Sequence, residues 1–420
     1  MPQRSALVTT DQPRSPRSLP VFAIGIVGAG QFAGAFAKLF NAHPGISRVT
    51  VTDLLPDRAA TLVGELGLAG VADDFDAMLD SDVDAVAIFT QRWTHGPLVV
   101  QALRAGKHVY SAVPMAFTVE EIAAIIDAVR ETGLTYMMGE TSFYHPATVL
   151  ARQKAAEGAF GRLFYAEGDY VHDMDHGFYA AYQYSGGADW KRTASYPPLK
   201  YPTHAIGGVL GAWNTHAVSV SAIGVPDQRG DGVFDKSVSM FANDFSNATA
   251  FFETADGGSM RTNEFRRVGL AGGVPESRFT FYGSEGILEQ NSQSTLWHER
   301  SGPLHDLSDL VRPGWASGAD DPVLASVDPK LHDSFISGHA PVHDTSGLPV
   351  EFKGLGNGHM GSHQLLVHDF VTAVNDRRLP SVNAWVAARY TLPGIVAHES
   401  ALRGGERLRI DDFGDAPGPA

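Results

Sequence analysis

The sequence of 420 residues contains no cysteine. Disulfide bridges, thiolate metal sites and a cysteine nucleophile are therefore excluded. It also lacks any apolar run near the roughly 18 residues that a membrane-spanning helix needs, so no membrane partner is expected. Basic residues are scarce, 32 against 47 acidic ones, which gives a net charge of −15. Because nucleic acids require a basic surface, a nucleic-acid partner is not expected either.

Residues 1–20 carry three arginines and four prolines but no apolar stretch of the kind that a signal peptide needs. They are predicted to be a disordered tail, and the chain is expected in the cytoplasm. The remainder has the composition of a globular protein, with 44% hydrophobic and 19% charged residues. Its length predicts two or three domains.

The first predicted domain covers residues 21–142 and alternates strands with helices. Continuous apolar runs indicate strands buried on both faces, which are typical of parallel sheets. Strands are predicted over 22–27, 48–53, 83–89, 107–110 and 134–138. Helices are predicted over 31–42, up to about residue 105, and from a capping box at Thr118–Glu121 to Gly133. This pattern predicts a doubly wound parallel Rossmann sheet.

The second predicted domain covers residues 143–412 and is rich in short β-type segments. Strands are predicted over 162–172, 237–245, 248–254, 259–266 and 278–282, with a hairpin turn at residues 256–258. Helices are predicted at 146–157 and 365–374. The predicted fold class is therefore α/β for the first domain and α+β for the second, which is built on a largely antiparallel open sheet. Residues 301–362 have little periodicity and are interpreted as a binding loop or oligomer arm, and 413–420 as a tail.

A glycine-rich turn joins the first strand to the first helix. Gly28-Ala-Gly30 permits a tight turn and a close backbone approach to a pyrophosphate, while the helix N-terminus favours an anion. Asp53, at the end of the next strand, is expected to accept a hydrogen bond from a ribose hydroxyl. The motif predicts NAD as the cofactor rather than NADP, although Arg58 is placed to contact a phosphate. The expected cofactor contacts also include Gln31 and Phe32.

Residues 83–118 strongly resemble the Gfo/Idh/MocA family of NAD(P)-dependent sugar oxidoreductases. The resemblance rests on Thr90, His95 and the segment 105–109, AGKHV. It places Thr90 and His95 in the cofactor site. The family's Glu-Lys-Pro is Ala-Val113-Pro here. The missing lysine usually helps to polarise the substrate hydroxyl, so an ordinary sugar dehydrogenase becomes a weaker expectation.

Three later segments are similar to motifs of the NAD-dependent glycosidases, typified by bacterial α-N-acetylgalactosaminidases. They are MMGE at 137–140, AEGDYVHD at 166–173 and YPTH at 201–204. That subgroup also has valine before the proline. The resemblance implies a set of active-site positions in this chain, namely Glu140, Tyr170, His172, Tyr201 and His204.

The resemblance implies a reaction in which NAD⁺ is recycled. Oxidation at C3 of the sugar acidifies the C2 proton, its loss expels the aglycone from C1, water adds, and the hydride returns. His204 is expected to serve the C3 hydroxyl, supported by Tyr201. Tyr170 and His172 alternate along a strand and are expected to transfer protons around C1 and C2. Glu140 would orient one of them or balance its charge. The alternative interpretation is that Tyr170 and His172 are ordinary sheet residues with satisfied hydrogen bonds.

Several cations are candidates for binding an anionic sugar substituent, such as the sulfonate of a sulfoquinovoside. Lys200 is a candidate either to replace the missing lysine or to bind such an anion. The other candidates are Lys191, Arg192, Arg266 and Arg267. For most of them, a solvated surface cation is the stronger interpretation. His363, at the start of a helix, is expected to reach the sugar.

The cluster at residues 172–176 contains two histidines and two aspartates, but the redox cycle needs no metal and none is expected. The leading hypothesis is an NAD-dependent glycosidase with a small-molecule glycoside substrate. A sugar or cyclitol dehydrogenase with net NADH production is the first alternative, and a non-catalytic NAD-dependent sensor the second. Family analogy suggests a homodimer or homotetramer.

Overall fold

The structure, a computed structural model, describes residues 21–269, 274, 276–314, 322–326 and 328–418. The predicted tail at 1–20 lies outside these residues. The strands are β1 Phe22–Val27, β2 Ile46–Thr52, β3 Gly70–Val71, β4 Ala85–Ile88, β5 His108–Ser111, β6 Tyr136–Met138, β7 Leu163–Val171, β8 Ala217–Pro226, β9 Phe245–Thr254, β10 Ser259–Phe265, β11 Ser277–Gly283, β12 Gly286–Gln290, β13 Thr295–Glu299, β14 His305–Asp306 and β15 Leu408–Arg409. The helices are α1 Gln31–Ala42, α2 Pro56–Leu66, α3 Phe75–Asp80, α4 His95–Arg104, α5 Val119–Thr132, α6 Pro146–Ala156, α7 Tyr179–Gly186, α8 Trp190–Ala194, α9 Thr203–Leu210, α10 Ser308–Val311, α11 His332–Ile336, α12 Ser362–Asp376 and α13 Ala384–Leu402.

The first sheet has six parallel strands in the order β3-β2-β1-β4-β5-β6. Every residue of β1 and β4 is buried, as expected for strands covered by helices on both faces. The predicted doubly wound parallel sheet is confirmed. The order reverses between β1 and β4, so the loops that follow these strands flank the crevice in which such folds bind ligands.

The predicted ends of α5 are confirmed in detail. The Thr118 hydroxyl accepts from the backbone N–H of Glu121, and the Glu121 carboxylate accepts from the N–H of Thr118, which completes the capping box. Gly133 ends the helix in the left-handed conformation. The helix therefore begins and ends where side-chain chemistry, rather than hydrophobic periodicity alone, sets its limits.

The second sheet has nine strands in the order β14-β13-β12-β11-β7-β10-β9-β8-β15. Only β7 and β10 pair in parallel, so the prediction of a largely antiparallel sheet is confirmed. Asp256-Gly-Gly258 forms the predicted turn between β9 and β10, with Gly257 at φ +77°. Helix α9 packs on β7 and β11, and this places the start of α9 above the end of β7.

The strand predicted over 237–245 is wrong, because only its last residue, Phe245, belongs to a strand. Asp235 accepts hydrogen bonds from the backbone and hydroxyl of Ser237, and the Ser239 hydroxyl accepts from the N–H of Phe241. Short polar side chains that bind the nearby backbone favour turns over a strand ladder. The apolar residues between them therefore follow a loop.

The described part of residues 301–362 contains β14, α10, α11 and short 3₁₀ turns. Its last residues lead into α12, whose Phe370 packs edge-on against Phe22 and Phe40 of the first domain. The irregular segment thus ends beside the Rossmann sheet. Within the described ranges, every helix is too short or too polar to cross a membrane.

Candidate functional site

Three segments that are distant in the sequence bring the predicted catalytic residues together. Glu140 follows β6, Tyr170 and His172 lie at the end of β7, and Tyr201 and His204 flank the start of α9. The rings of Tyr170 and His204 have centroids 4.4 Å apart, and those of Tyr170 and Tyr201 are 5.9 Å apart. The predicted cluster therefore forms, although the role of each residue is a matter for the proposal below.

His204 links a carboxylate to a phenol. Its Nδ1 lies 2.8 Å from Oε1 of Glu140, and its Nε2 lies 3.3 Å from the Tyr201 hydroxyl. Since Nδ1 donates to the carboxylate, Nε2 of the neutral ring accepts from the phenol. The three groups form a relay along which a proton can move.

Glu140 is fully buried, with a relative exposure of 0%. Burial raises the pKa of such a carboxyl, but the adjacent His204 and hydrogen bonds from neighbouring groups outweigh burial and leave the pKa of Glu140 lowered. The backbone N–H of Ser142 donates to the same Oε1 atom at 2.7 Å. The site therefore holds an ionised carboxylate beneath His204.

Tyr170 and His172 form a second buried pair, with 3.1 Å between the phenol oxygen and Nδ1. Burial raises the pKa of Tyr170 well above its usual value, and neighbouring Tyr201 raises it further. Burial lowers the pKa of His172 well below its usual value, and the nearby guanidinium of Arg266 lowers it further. Both groups are therefore neutral near pH 7, and the two shifts oppose transfer of the phenol's proton to the imidazole.

Two arginines face these tyrosines. The guanidinium of Arg92 lies 4.5 Å from the ring centre of Tyr201, and that of Arg266 lies 5.3 Å from the ring centre of Tyr170. Arg266 pairs with Glu264 at 3.1 Å, while the contacts of Arg92 among the described residues are with tyrosines, including the hydroxyl of Tyr182. Sequence reasoning missed Arg92, although it lies inside the family-like segment between Thr90 and His95.

The other predicted cations lie elsewhere. Lys200 Nζ lies 3.7 Å from the ring centre of Phe117 and 3.4 Å from its carbonyl oxygen. Lys191 donates to the carbonyl of Asp231, Arg267 pairs with Asp227 and Asp231, and Arg192 is exposed. The contacts of Lys200, Lys191 and Arg267 stabilise the local structure, and Arg192 faces solvent. Of the predicted anion-binding cations, Arg266 alone reaches the cluster.

His363 reaches the site through another histidine that the sequence analysis did not single out. His363 is buried against Phe36, with ring centroids 4.4 Å apart, and its Nε2 lies 2.7 Å from Nδ1 of His359. His359 in turn stacks on His204, with centroids 6.2 Å apart. The predicted contact of His363 with the sugar is therefore replaced by a contact with His359. The only sequence signal for His359 is its place in the glycine-flanked run Gly358-His-Met-Gly361.

A cavity of about 460 Å³ opens beside this cluster. It has the size of a small-ligand pocket and a mixed polar and apolar wall. The residues that line it are Thr141, Ser142, His145, Tyr170, Val171, Asp173, His176, His204, Val274, Glu276, Ser277, His359 and Met360. Tyr170 and His204 thus face a space that can hold a sugar.

The glycine motif fits a dinucleotide. Gly28 has φ +94°, and a Cβ there would lie 2.8 Å from the carbonyl oxygen of Phe89. A Cβ on Gly30 would meet no atom within 4 Å, because it would project into open space above the turn. Gly30 precedes α1, and no side chain in the described part of the chain caps this helix. The N–H groups of Gln31 and Phe32 therefore remain available to a phosphate, while that of Ala33 donates to the carbonyl of Gly30.

Asp53 holds the glycine turn in place. Its Oδ2 accepts from the N–H of Ala29 at 2.7 Å and its Oδ1 from the N–H of Leu55 at 2.8 Å. Gln31 and Phe32 begin α1, as predicted, and Gln31 lines a cavity of about 360 Å³ with Gly30 and Arg58. That cavity is on the side where the motif predicts the pyrophosphate and adenosine.

His95 has a different place from the one predicted. It is buried, and its two ring nitrogens lie 2.8 Å from the carbonyl of Pro114 and 3.2 Å from that of Thr90. Thr90 bonds to Thr94 through its hydroxyl at 2.7 Å. His95 therefore fixes the loop after β4 against the segment after β5. Its predicted contact with the cofactor stays a prediction.

Helix α7 crosses from the second domain to the cofactor side. The guanidinium of Arg58 lies 4.2 Å from the ring centre of Tyr184 and donates to its carbonyl oxygen at 2.7 Å. Tyr182, two residues earlier, contacts Arg92. One helix therefore touches both the glycine-motif cavity and the catalytic cluster.

The predicted metal-like run is engaged in other contacts. His172 contacts Tyr170, and Asp175 pairs with Arg229 at 2.8 Å. Among the residues for which the structure gives positions, no group of three or more histidines, aspartates or glutamates is arranged to hold a metal ion.

Comparison with known families and structures agrees with this architecture. Residues 22–140 match the model of the Gfo/Idh/MocA oxidoreductase family, described as having an NAD-binding Rossmann fold. The resemblance found in the sequence and the prediction of NAD are both confirmed. A solved levoglucosan dehydrogenase, in complex with NADH and levoglucosan, shares the fold with a TM-score of 0.68 and 19% identity, over 93% of this chain and 99% of that one.

Two curated relatives represent the two enzyme classes under consideration. An alpha-N-acetylgalactosaminidase of Bacteroides fragilis is 36% identical over 139 residues, which are 32% of this chain and 32% of the relative. A scyllo-inositol 2-dehydrogenase (NAD(+)) of Bacillus subtilis is 31% identical over 145 residues, which are 34% of this chain and 42% of the relative. The matches thus span less than half the length of either relative.

Proposed function

We propose that this protein is an NAD-dependent glycoside hydrolase. The observation that carries the proposal is the juxtaposition of two separate proton-transfer systems on one cavity, the Glu140–His204–Tyr201 relay and the Tyr170–His172 pair. A simple hydride transfer needs one base for one hydroxyl. Elimination and water addition need further groups that exchange protons at neighbouring atoms. The similarity to the Bacteroides fragilis α-N-acetylgalactosaminidase supports the same class.

The residues of the first domain would hold the cofactor. Gly30 and the first turn of α1 would bind the pyrophosphate, and the Asp53 carboxylate would fix the turn and lie near the ribose. Bound NAD⁺ supplies a hydride acceptor for C3 of the sugar and returns the hydride at the end of the cycle, so that none is consumed. No lysine is available from the Val113-Pro114 segment to polarise the C3 hydroxyl.

His204 would receive the proton of the C3 hydroxyl. Its Nε2 is held by Tyr201 and its Nδ1 by the ionised Glu140, which stabilises the positive charge that the ring gains. Once C3 is a ketone, the C2 proton becomes acidic. Tyr170 faces the same cavity. The charges of Arg266 and Arg92 lower the pKa of Tyr170 in part, and its phenolate form, with the proton passed to His172, would remove the proton from C2.

An anionic sugar, such as a sulfoquinovoside, is the substrate class that we propose to test within this function. Arg92 and Arg266 both face the tyrosines of the site, and only Arg266 has a carboxylate partner among the described residues. Arg92 thus has no carboxylate partner in the described part of the chain, and a guanidinium in that state favours an anionic substituent near Tyr201.

The alternative is a sugar or cyclitol dehydrogenase with net NADH production. The similarity to the Bacillus subtilis scyllo-inositol 2-dehydrogenase favours it. One experiment separates the two classes. The protein is incubated in D₂O with catalytic NAD⁺ and a panel of neutral and anionic aryl α- and β-glycosides, and aglycone, NADH and deuterium at C2 are measured together.

Aglycone release with deuterium at C2 and no accumulating NADH is the expected result. NADH that grows steadily without aglycone release would establish the dehydrogenase instead. A matched Tyr170→Phe variant, which lacks only the phenol oxygen, should lose deuterium incorporation and aglycone release together. Full turnover by that variant would remove Tyr170 from the mechanism.

A further inference from the structure

His359 occupies a place between the two domains that none of the roles above uses. Its ring stacks on His204 at a centroid distance of 6.2 Å and an interplanar angle of 21°. On the other side it meets Phe32 of α1 edge-on at 5.6 Å. Phe32 lies just after the glycine turn, so His359 sits where the cofactor side and the catalytic histidine meet.

The backbone around His359 is strained in a way that fixes this position. His359 has φ +45°, Met360 has φ +58° and Gly361 has φ +96°. Non-glycine residues with positive φ cost conformational energy, and such strain persists only where the surrounding structure imposes it. Two successive strained residues at the wall of a cavity suggest that the placement of this ring has a function.

One nitrogen of His359 is held by the protein and the other is not. Nδ1 lies 2.7 Å from Nε2 of the buried His363, which is itself packed against Phe36. Across the described residues, no hydrogen bond reaches Nε2 of His359. The side chain is exposed to the same cavity that Tyr170 and His204 line. An oriented imidazole with one nitrogen anchored and the other open is the arrangement of a general acid–base.

We propose that His359 is a catalytic residue that exchanges a proton with the oxygen at C1 of the sugar, with His363 as its positioning residue. The inference rests on the proposed hydrolase function and adds a group to it. Tyr170 remains the base for C2. His359 is the acid for the departing aglycone and the base for the incoming water.

The proton and electron balance of the two steps is as follows. In elimination, Tyr170 starts as a phenolate whose proton is held by His172. The C2–H bond breaks and its proton goes to that phenolate, the electron pair forms the C1–C2 double bond, and the C1–O bond breaks. The aglycone oxygen keeps that bond's electron pair and takes a proton from protonated His359. In addition, water bonds to C1, a water proton goes to His359 Nε2, and C2 recovers its proton from Tyr170. Each group ends the turnover as it began.

The environment of His359 suits proton donation. Desolvation, and to a smaller extent nearby His204, lower its pKa to about 4, so the protonated form is a minor species near pH 7 but a strong proton donor to an oxygen. Such an acid matters most when the aglycone is a poor leaving group. With a good leaving group, the C1–O bond breaks without a proton.

The test compares two aglycones in one variant. His359→Asn retains a residue that tolerates positive φ but cannot transfer protons. Its kcat/KM should fall by about 100-fold or more with a methyl glycoside and by less than about tenfold with a 4-nitrophenyl glycoside of the same sugar. Deuterium exchange at C2 should proceed at the wild-type rate, because Tyr170 is unchanged.

Two controls separate chemistry from folding. His339 lies in the same segment and is hydrogen-bonded to Gln364, and His339→Asn should change kcat/KM for both glycosides by the same factor. His359→Gly relieves the backbone and leaves a gap, and added imidazole should restore cleavage of the methyl glycoside. If His359→Asn does not fold, the His359→Gly rescue decides the question.

Failure of the inference and failure of the proposed function look different. Suppose that the wild-type protein cleaves glycosides, that His359→Asn lowers kcat/KM by the same factor for both glycosides, and that imidazole does not restore cleavage by His359→Gly. His359 is then not the acid, and the hydrolase function stands. If the wild-type protein cleaves no glycoside and accumulates NADH, the hydrolase function is overturned, and the role of His359 with it.

Discussion

The carboxylate of Glu140 lies 2.8 Å from Nδ1 of His204, and both side chains are buried. Glu140→Gln preserves the shape and an acceptor oxygen but removes the charge that stabilises protonated His204. We expect kcat to fall by about 10²-fold or more, with a smaller effect on KM. Steady-state kinetics would check this. An unchanged kcat would exclude the relay.

The same pair makes a prediction about stability. The pKa of Glu140 is lowered in the folded protein from a reference value of 4.5. Its contribution to stability is therefore complete above about pH 4.5 and is lost as the pH falls through the folded pKa. The difference in free energy of unfolding between wild type and Glu140→Gln should be largest near pH 7 and shrink below pH 4.5. Denaturant titrations at several pH values measure it.

Arg92 provides a third prediction, through Tyr201. Burial raises the pKa of Tyr201, and the charge of Arg92 partly offsets this. Arg92→Met should raise the pKa of Tyr201 further, move the alkaline limb of the pH–rate profile upward and lower kcat by about tenfold. The exposed Arg192→Met is the control and should leave the profile unchanged. A parallel change in both variants would contradict a local role of Arg92.

The glycine turn allows binding to be separated from folding. Gly30→Ala adds a Cβ with no atom within 4 Å, so the unfolding free energy should hardly change, whereas NAD binding should weaken by at least about tenfold, or 1.4 kcal/mol. Gly28 has φ +94°, and an added Cβ would lie 2.8 Å from the carbonyl oxygen of Phe89. Gly28→Ala should therefore destabilise the fold by about 1–3 kcal/mol. Calorimetric titration and thermal unfolding test the pair, with Gly64→Ala as the control.

Buried histidines should make the fold sensitive to acid. Burial lowers the pKa of His43 and His145 to about 3 and of His343 and His398 to about 4, from 6.5. Because the unfolded chain binds these protons first, stability should be complete above pH 6.5 and fall as the pH drops toward 4. Each histidine contributes up to about 1.4 kcal/mol per pH unit. His398→Gln should reduce the slope of the unfolding free energy against pH, and His305→Gln, at an exposed position, should leave that slope unchanged.

The Rossmann sheet was predictable from the sequence for a physical reason, whereas the five-residue cluster was predicted from the resemblance to family motifs. Carboxyl ends of parallel strands converge at one edge, so a motif after β1 and another after β4 must flank the same crevice. Glu140, Tyr170 and His204 were found through short contiguous motifs. Each motif sits at the end or start of a regular element, where the local chain direction is fixed.

His359 and Arg92 were not predictable in the same way. His359 belongs to a segment without periodicity, and its position depends on long-range packing of α12 against the first domain. Arg92 lies in a loop, where sequence does not specify which ring a guanidinium will meet. The error at 237–245 has a related cause, since Asp235 and Ser239 bind the backbone locally and override the apolar pattern.

Helix α7 touches Arg58 at one end of the cofactor site and Arg92 near the other. Tyr184, whose ring covers Arg58, lines the same cavity as Gly30. A dinucleotide bound on Gly30 would meet this pair, and release that requires the pair to separate is expected to be slow. An enzyme that regenerates its bound NAD⁺ in every turnover does not need to release it. Slow dissociation of the cofactor then does not lower kcat.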